Sequence, residues 1–140
     1  MERTKADFKA FRELCGLSQG DVVQAVGLQG VRAVKSWEDP ADSRKPNEAA
    51  WRWLEDRYAE HVRAVDTAVE ESVRMLGDAD GDGFAGFTLS YWRTQEAYDR
   101  LRGDGASIGV VNARTRAIAA VLSDMGYEVG FAYPEEIKES

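Results

Sequence analysis

Gln29, Arg32 and Lys35 stand three residues apart, so on a helix they share one face. Such a set is suited to hydrogen bonding with flat polar edges. A guanidinium or ammonium group donates to the adjacent acceptors of a guanine, and a primary amide donates and accepts at once, as adenine requires. Ser36 faces outward with them, and its hydroxyl can do either. Arg44 and Lys45 follow in a polar stretch between Pro40 and Pro46, where cations suit contacts to phosphate oxygens.

Other chemistries find little in the sequence. His61 is the one histidine and Cys15 the one cysteine. Cys15 is expected as a small buried hydrophobe and His61 as a surface or interface residue. No Ser-His-Asp set, metal-spaced Cys/His cluster or phosphate-binding glycine loop is present, so no catalytic residue, cofactor or metal is expected. The run Asp78-Ala79-Asp80-Gly81-Asp82-Gly83-Phe84 opens like an EF-hand loop. Its ninth position is Gly86 and its twelfth, where a bidentate Glu belongs, is Leu89. It reads as an acidic turn-rich linker.

The elements that position the polar face follow from periodicity. Phe8, Phe11 and Cys15 form a stripe over 4–15, ended by Gly16. Ser18 can cap a second helix, whose buried side is Val22, Val23 and Val26 and which Gly27 stops. Over 29–38, Val31, Val34 and Trp37 recur every three residues and are expected inward. Asn47 can cap a fourth helix. Its stripe of Trp51, Leu54, Tyr58, Val62, Val65, Val69, Val73 and Leu76 carries it from 47 to 76, about 45 Å. Residues 77–86 are the expected linker. Beyond it, 87–92 and 127–133 alternate like strands, with helices over 94–102 and 110–125 between them.

The expected fold is therefore mainly α with a small β component. An N-terminal helix-turn-helix bundle (1–76) is followed by a small β-α-α-β dimerisation module (87–140). Two strands alone are marginal in water, and the long helix carries its stripe past the N-terminal bundle. A second copy is expected to cover Val62, Val65 and Val69 together with Phe87, Leu89, Tyr91, Val129, Phe131 and Tyr133, and so to complete the sheet. Net charge is −7 over 140 residues. Residues 1–58 hold ten Lys/Arg against ten Asp/Glu, and residues 59–140 hold eight against fifteen. The acidic excess thus lies outside the polar face described above. No signal-peptide pattern and no apolar run of membrane-spanning length occurs, so no membrane partner and a cytoplasmic location are expected.

The run 17–38, LSQGDVVQAVGLQGVRAVKSWE, resembles the lambda-repressor-like (Xre-type) helix-turn-helix family. Leu17-Ser18-Gln19 matches the opening of that motif and Gly27 its turn. Val34-Lys35-Ser36-Trp37-Glu38 matches the close of its recognition helix, and Pro46 precedes a further helix as in the family. The turn before Val34 is about one residue longer than the family's common spacing and contains Gly30. The resemblance implies binding to double-stranded DNA, with Ser18 and Gln19 against the phosphate backbone. The whole layout, with the late segment VNARTRAIAAVLSDMGYEVGF, resembles the anti-CRISPR-associated repressors and their YdiL-like relatives. That likeness implies a homodimer that binds a palindromic operator and represses its own operon. A different expectation is an antitoxin-like protein that neutralises a partner protein through its C-terminal module.

Overall fold

The computed structural model describes residues 3–78 and 86–136. The chain divides into two compact units, Met1–His61 and Val62–Ser140. The division falls inside the long helix. Residues 79–85 of the Gly/Asp stretch lie outside the described residues, and with them Asp80 and Asp82 of the calcium-like run.

In the first unit, α1 (Lys5–Leu14) starts on a reciprocal cap. Thr4 Oγ1 accepts from the Asp7 N–H and Asp7 Oδ2 accepts from the Thr4 N–H, each at 3.0 Å. The same device starts α2 (Gln19–Val26). Ser18 Oγ accepts from the Asp21 N–H at 3.0 Å, and the Ser18 N–H reaches Asp21 Oδ2 at 2.7 Å. Two otherwise orphaned donors are satisfied at each end. Gly27 closes α2 at φ 71°, a left-handed conformation that suits a residue without Cβ. α3 (Val31–Glu38) follows after the four residues 27–30. Asn47 Oδ1 accepts from the Ala50 N–H at 2.8 Å at the start of α4 (Glu48–Asp78), a helix that continues into the second unit.

Phe8, Val22, Val34 and Leu54 are fully buried and form the centre of this unit. Trp37 and Trp51 stand edge-on to Phe8, with ring centroids 5.9 and 5.1 Å away. Each buried apolar side chain of this size stabilises by roughly 1.5–3 kcal/mol. His61, expected at a surface or an interface, is buried within the single chain and stacks on Tyr58 with centroids 6.2 Å apart.

The second unit orders β1 (Gly86–Ser90), α5 (Gln95–Leu101), α6 (Ile108–Asp124) and β2 (Glu128–Ala132), then a 3-10 turn over Pro134–Glu136. The protein is thus mainly helical with a small two-stranded sheet. β1 and β2 pair in parallel, Phe87 opposite Val129 and Leu89 opposite Phe131. A parallel pair needs a long crossover, which α5 and α6 supply, and α6 packs on the sheet. The strands are therefore covered in part by a helix of the same chain. Phe87, Leu89 and Val129 are half-buried in the single chain. The buried amide of Asn112 is bonded to Trp92 in both directions, accepting from its N–H at 2.9 Å and donating to its carbonyl at 2.8 Å. It fixes the chain where it leaves β1. Among the described residues no helix is long and apolar enough to cross a membrane.

Candidate nucleic-acid interface

α3 packs against both α1 and α2, which narrows its free face. Val34, Ser36 and Trp37 are buried, while Val31, Arg32 and Lys35 are exposed. At about 100° per residue, these last three fall on one arc. Two expectations are corrected here. Ser36 does not face out, because the helix is covered on two sides and not one. Val31 does not face in, because it is the first residue of the helix and sits at its open end. Gln29 is exposed but lies outside α3, since the backbone at Gly30 is extended and the helix begins one residue later. It flanks the face that Arg32 and Lys35 share. Sequence periodicity missed Val31 as a surface residue, and the longer turn around Gly30 was the available signal.

Behind this face lies a buried ion pair. Arg12 Nε donates to Glu38 Oε2 at 2.6 Å and Nη2 to Oε1 at 2.9 Å, with the two side chains 8% and 5% exposed. Arg12 Nη1 also donates to the Leu17 carbonyl at 2.9 Å, and Gln19 Nε2 to Glu38 Oε1 at 3.1 Å. One carboxylate therefore ties together α1, the start of α2 and the last residue of α3. Gln19, expected against phosphate, uses its amide for this tie. Ser18 is exposed, but its hydroxyl is engaged by the cap, which brings the Asp21 carboxylate to the same helix end.

The loop after α3 is pinned by a single ammonium. Lys5 Nζ donates to the carbonyls of Ser36 at 2.7 Å and Asp39 at 2.9 Å, and to that of Arg44. All three ammonium donors are used. The charge sits at the C-terminus of α3, where the helix dipole favours it. Two side-chain turns complete the loop, Asp39 Oδ1 to the Ala41 N–H at 2.9 Å and Asp42 Oδ1 to the Arg44 N–H at 2.8 Å. The Arg44 N–H, aided by the Arg44 and Ser36 side chains, holds the Asp42 carboxyl below its usual range. Ser36 thus belongs to the support of the loop. Arg44 and Lys45 are exposed on it, with Arg44 Nε 3.4 Å from Asp42.

The charge pattern of this unit is uneven. Arg3, Lys9, Arg12, Arg44, Arg52 and Arg57 pair with carboxylates, and Lys5 is held by carbonyls. Among the described residues, Arg32, Lys35 and Lys45 are the cations of the first unit held by neither a carboxylate nor a carbonyl. All three are on α3 or the loop that follows it.

No cluster of three or more His, Cys, Asp or Glu with metal-binding proximity occurs among the described residues. The sequence-derived interface set falls on the second unit. Val62 is exposed, Val65 buried and Val69 half-buried on α4. Tyr91 is half-buried, while Phe131 and Tyr133 are exposed at the end of the sheet. No family model matches the chain, and no curated protein is significantly similar to it.

Proposed function

We propose that the protein is an Xre-type DNA-binding transcriptional regulator, acting in the cytoplasm as a homodimer that binds an inverted repeat and represses its own operon. The observation that carries this reading is the gathering of the unpaired cations on the exposed arc of α3 and the adjoining loop. A helix of this width enters the major groove of DNA. In that position Arg32 and Lys35 read guanine edges, Gln29 reads an adenine at the flank, and the Val31 methyl groups pack on a thymine methyl. Arg44 and Lys45 contact phosphates and fix register without reading sequence. Selection of bound sequences from a random DNA pool tests the reading as a whole. It should return a palindrome whose half-sites lie about 10 base pairs apart or a multiple of that, and recovery of no preferred sequence would overturn it.

Arg32→Ala should weaken binding to the selected site by about 1–3 kcal/mol and relax preference at one base pair. The fold should be unchanged, because this side chain is exposed and makes no bond among the described residues. Titrations against single-base variants of the site provide the check. Equal affinity of Arg32→Ala, Lys35→Ala and Gln29→Ala with the parent protein would show that another face reads DNA.

Lys45→Ala should act differently. Loss of one phosphate contact lowers the magnitude of the salt slope by about one and weakens all DNA sequences alike. Arg44→Ala should do the same. A loss confined to particular sequences would place these residues on bases instead.

A further inference from the structure

We propose that the carboxyl end of the β1–β2 sheet is a binding site for a small planar aromatic carboxylate. Tyr91 leaves β1 and Ala132 ends β2, and both strands run the same way. Both strands end there and the chain departs into loops, which leaves room for a crevice beside the last strand residues. Here the crevice exists. A cavity of about 440 Å³ is lined by Tyr91, Arg116, Phe131, Ala132 and Tyr133. That volume is within the range of small-molecule pockets.

The lining defines the ligand. Tyr91 and Phe131 meet edge-on with ring centroids 5.7 Å apart. Phe131 is 51% exposed and Tyr133 37% exposed. These rings offer faces and edges to a flat apolar body. Arg116 comes from α6 and donates from Nη1 to the Tyr91 hydroxyl at 2.6 Å. That bond uses one of its five N–H donors and aims the guanidinium at the cavity's phenol. Among the described residues no carboxylate pairs with Arg116. Among the described residues the site therefore has aromatic walls and one charge without a counter-ion, and a guanidinium is shaped to take a carboxylate through two parallel bonds. An aromatic ring bearing a carboxylate satisfies both features. Such a ligand would bind whether or not the protein binds DNA.

The experiment titrates the full-length protein with 2-naphthoate by calorimetry and follows the aromatic resonances by NMR. Its neutral counterpart, 2-naphthylmethanol, serves as the comparison. Binding of one 2-naphthoate per chain is expected, with shifts at Tyr91, Phe131 and Tyr133. Arg116→Gln should weaken it roughly 10- to 100-fold, the usual effect of losing a charged hydrogen-bonded contact, and Arg116→Lys should restore part of the loss. The alcohol should bind the parent protein at least about tenfold more weakly and should be indifferent to Arg116→Gln. Arg116 is exposed, so these variants keep their fold, which the unchanged NMR dispersion elsewhere verifies. Absence of naphthoate binding, equal binding of the alcohol, or affinity unchanged by Arg116→Gln would each overturn the proposal. So would a dimer that Phe131→Glu dissolves in a protein that takes no naphthoate, since a second copy would then fill the cavity.

Discussion

Glu38→Ala is expected to destabilise the N-terminal unit by about 3–5 kcal/mol, the range found when one partner of a buried ion pair is removed. The size follows from what would be left behind. Arg12 is 8% exposed and directs two guanidinium bonds at Glu38, at 2.6 and 2.9 Å. Without the carboxylate its charge stays buried, and the Gln19 amide loses its acceptor as well. In a unit of this size a loss of that magnitude should lower the melting temperature by more than about 10 °C. Arg12→Met should cost a similar amount, because the buried carboxylate then keeps only the neutral Gln19 amide and no counter-charge. The double variant, Arg12→Met with Glu38→Leu, should recover more than half of the loss, since a neutral pair needs no counter-charge. The residual cost is the Leu17 carbonyl, deprived of its 2.9 Å donor, and the Gln19 amide, deprived of its acceptor. Thermal unfolding of the single variants Arg12→Met and Glu38→Leu beside the double variant gives the coupling directly. Single variants that each lose less than about 1 kcal/mol would mean that the pair behaves like a solvated surface pair.

Arg12 also marks where sequence reading stops. The helix starts and stops were legible because their causes are local. Ser18 stands three residues before Asp21, Gly27 takes φ 71°, and Asn47 stands three before Ala50. The buried stripes were legible for the same reason, since Val22, Val34 and Leu54 each sit in a run of apolar residues at helical spacing. Arg12 and Glu38 are 26 positions apart, and nothing local distinguishes either from a solvated charge. Periodicity also assumes that one side of a helix is covered. α3 is covered on two, which turned Ser36 inward and left Val31, Arg32 and Lys35 as its outer arc. Lys5 looked like any first-turn lysine, yet its three carbonyl partners come from 31 to 39 residues away. In the second unit, alternation told which strand residues share a face. The direction of pairing was set by the crossover through α5 and α6, and alternation carries no information on that. Of the candidate reading face, Arg32 and Lys35 were legible. Gln29 was displaced by the extended backbone of Gly30, and Val31 was missed.

Val62→Glu is expected to leave the protein monomeric and to lower its affinity for a full palindrome by roughly 100-fold or more, the usual gain from joining two binding modules. A helix-turn-helix headpiece makes few contacts. In a two-fold dimer the second headpiece binds at high local concentration, and the shared axis matches the palindrome. The surface that would hold the two copies together is the part of α4 that a single chain leaves open. Val62 is 39% exposed there, and Val69 and Val73 follow at seven and eleven residues on the same face, half-buried. A carboxylate at Val62 would be desolvated without a partner in the dimer, yet costs little in the monomer, where the position meets solvent. Light scattering over a range of concentrations should show a dimer for the parent chain and a monomer for the variant. Affinity for an isolated half-site should be unchanged, because α3 and its loop are untouched, and this separates loss of pairing from damage to the reading face. If Val62→Glu remains dimeric and Phe131→Glu does not, the copies meet through the sheet end and not through α4. A parent chain that is monomeric at micromolar concentration and still binds the palindrome tightly would remove dimerisation from the account altogether.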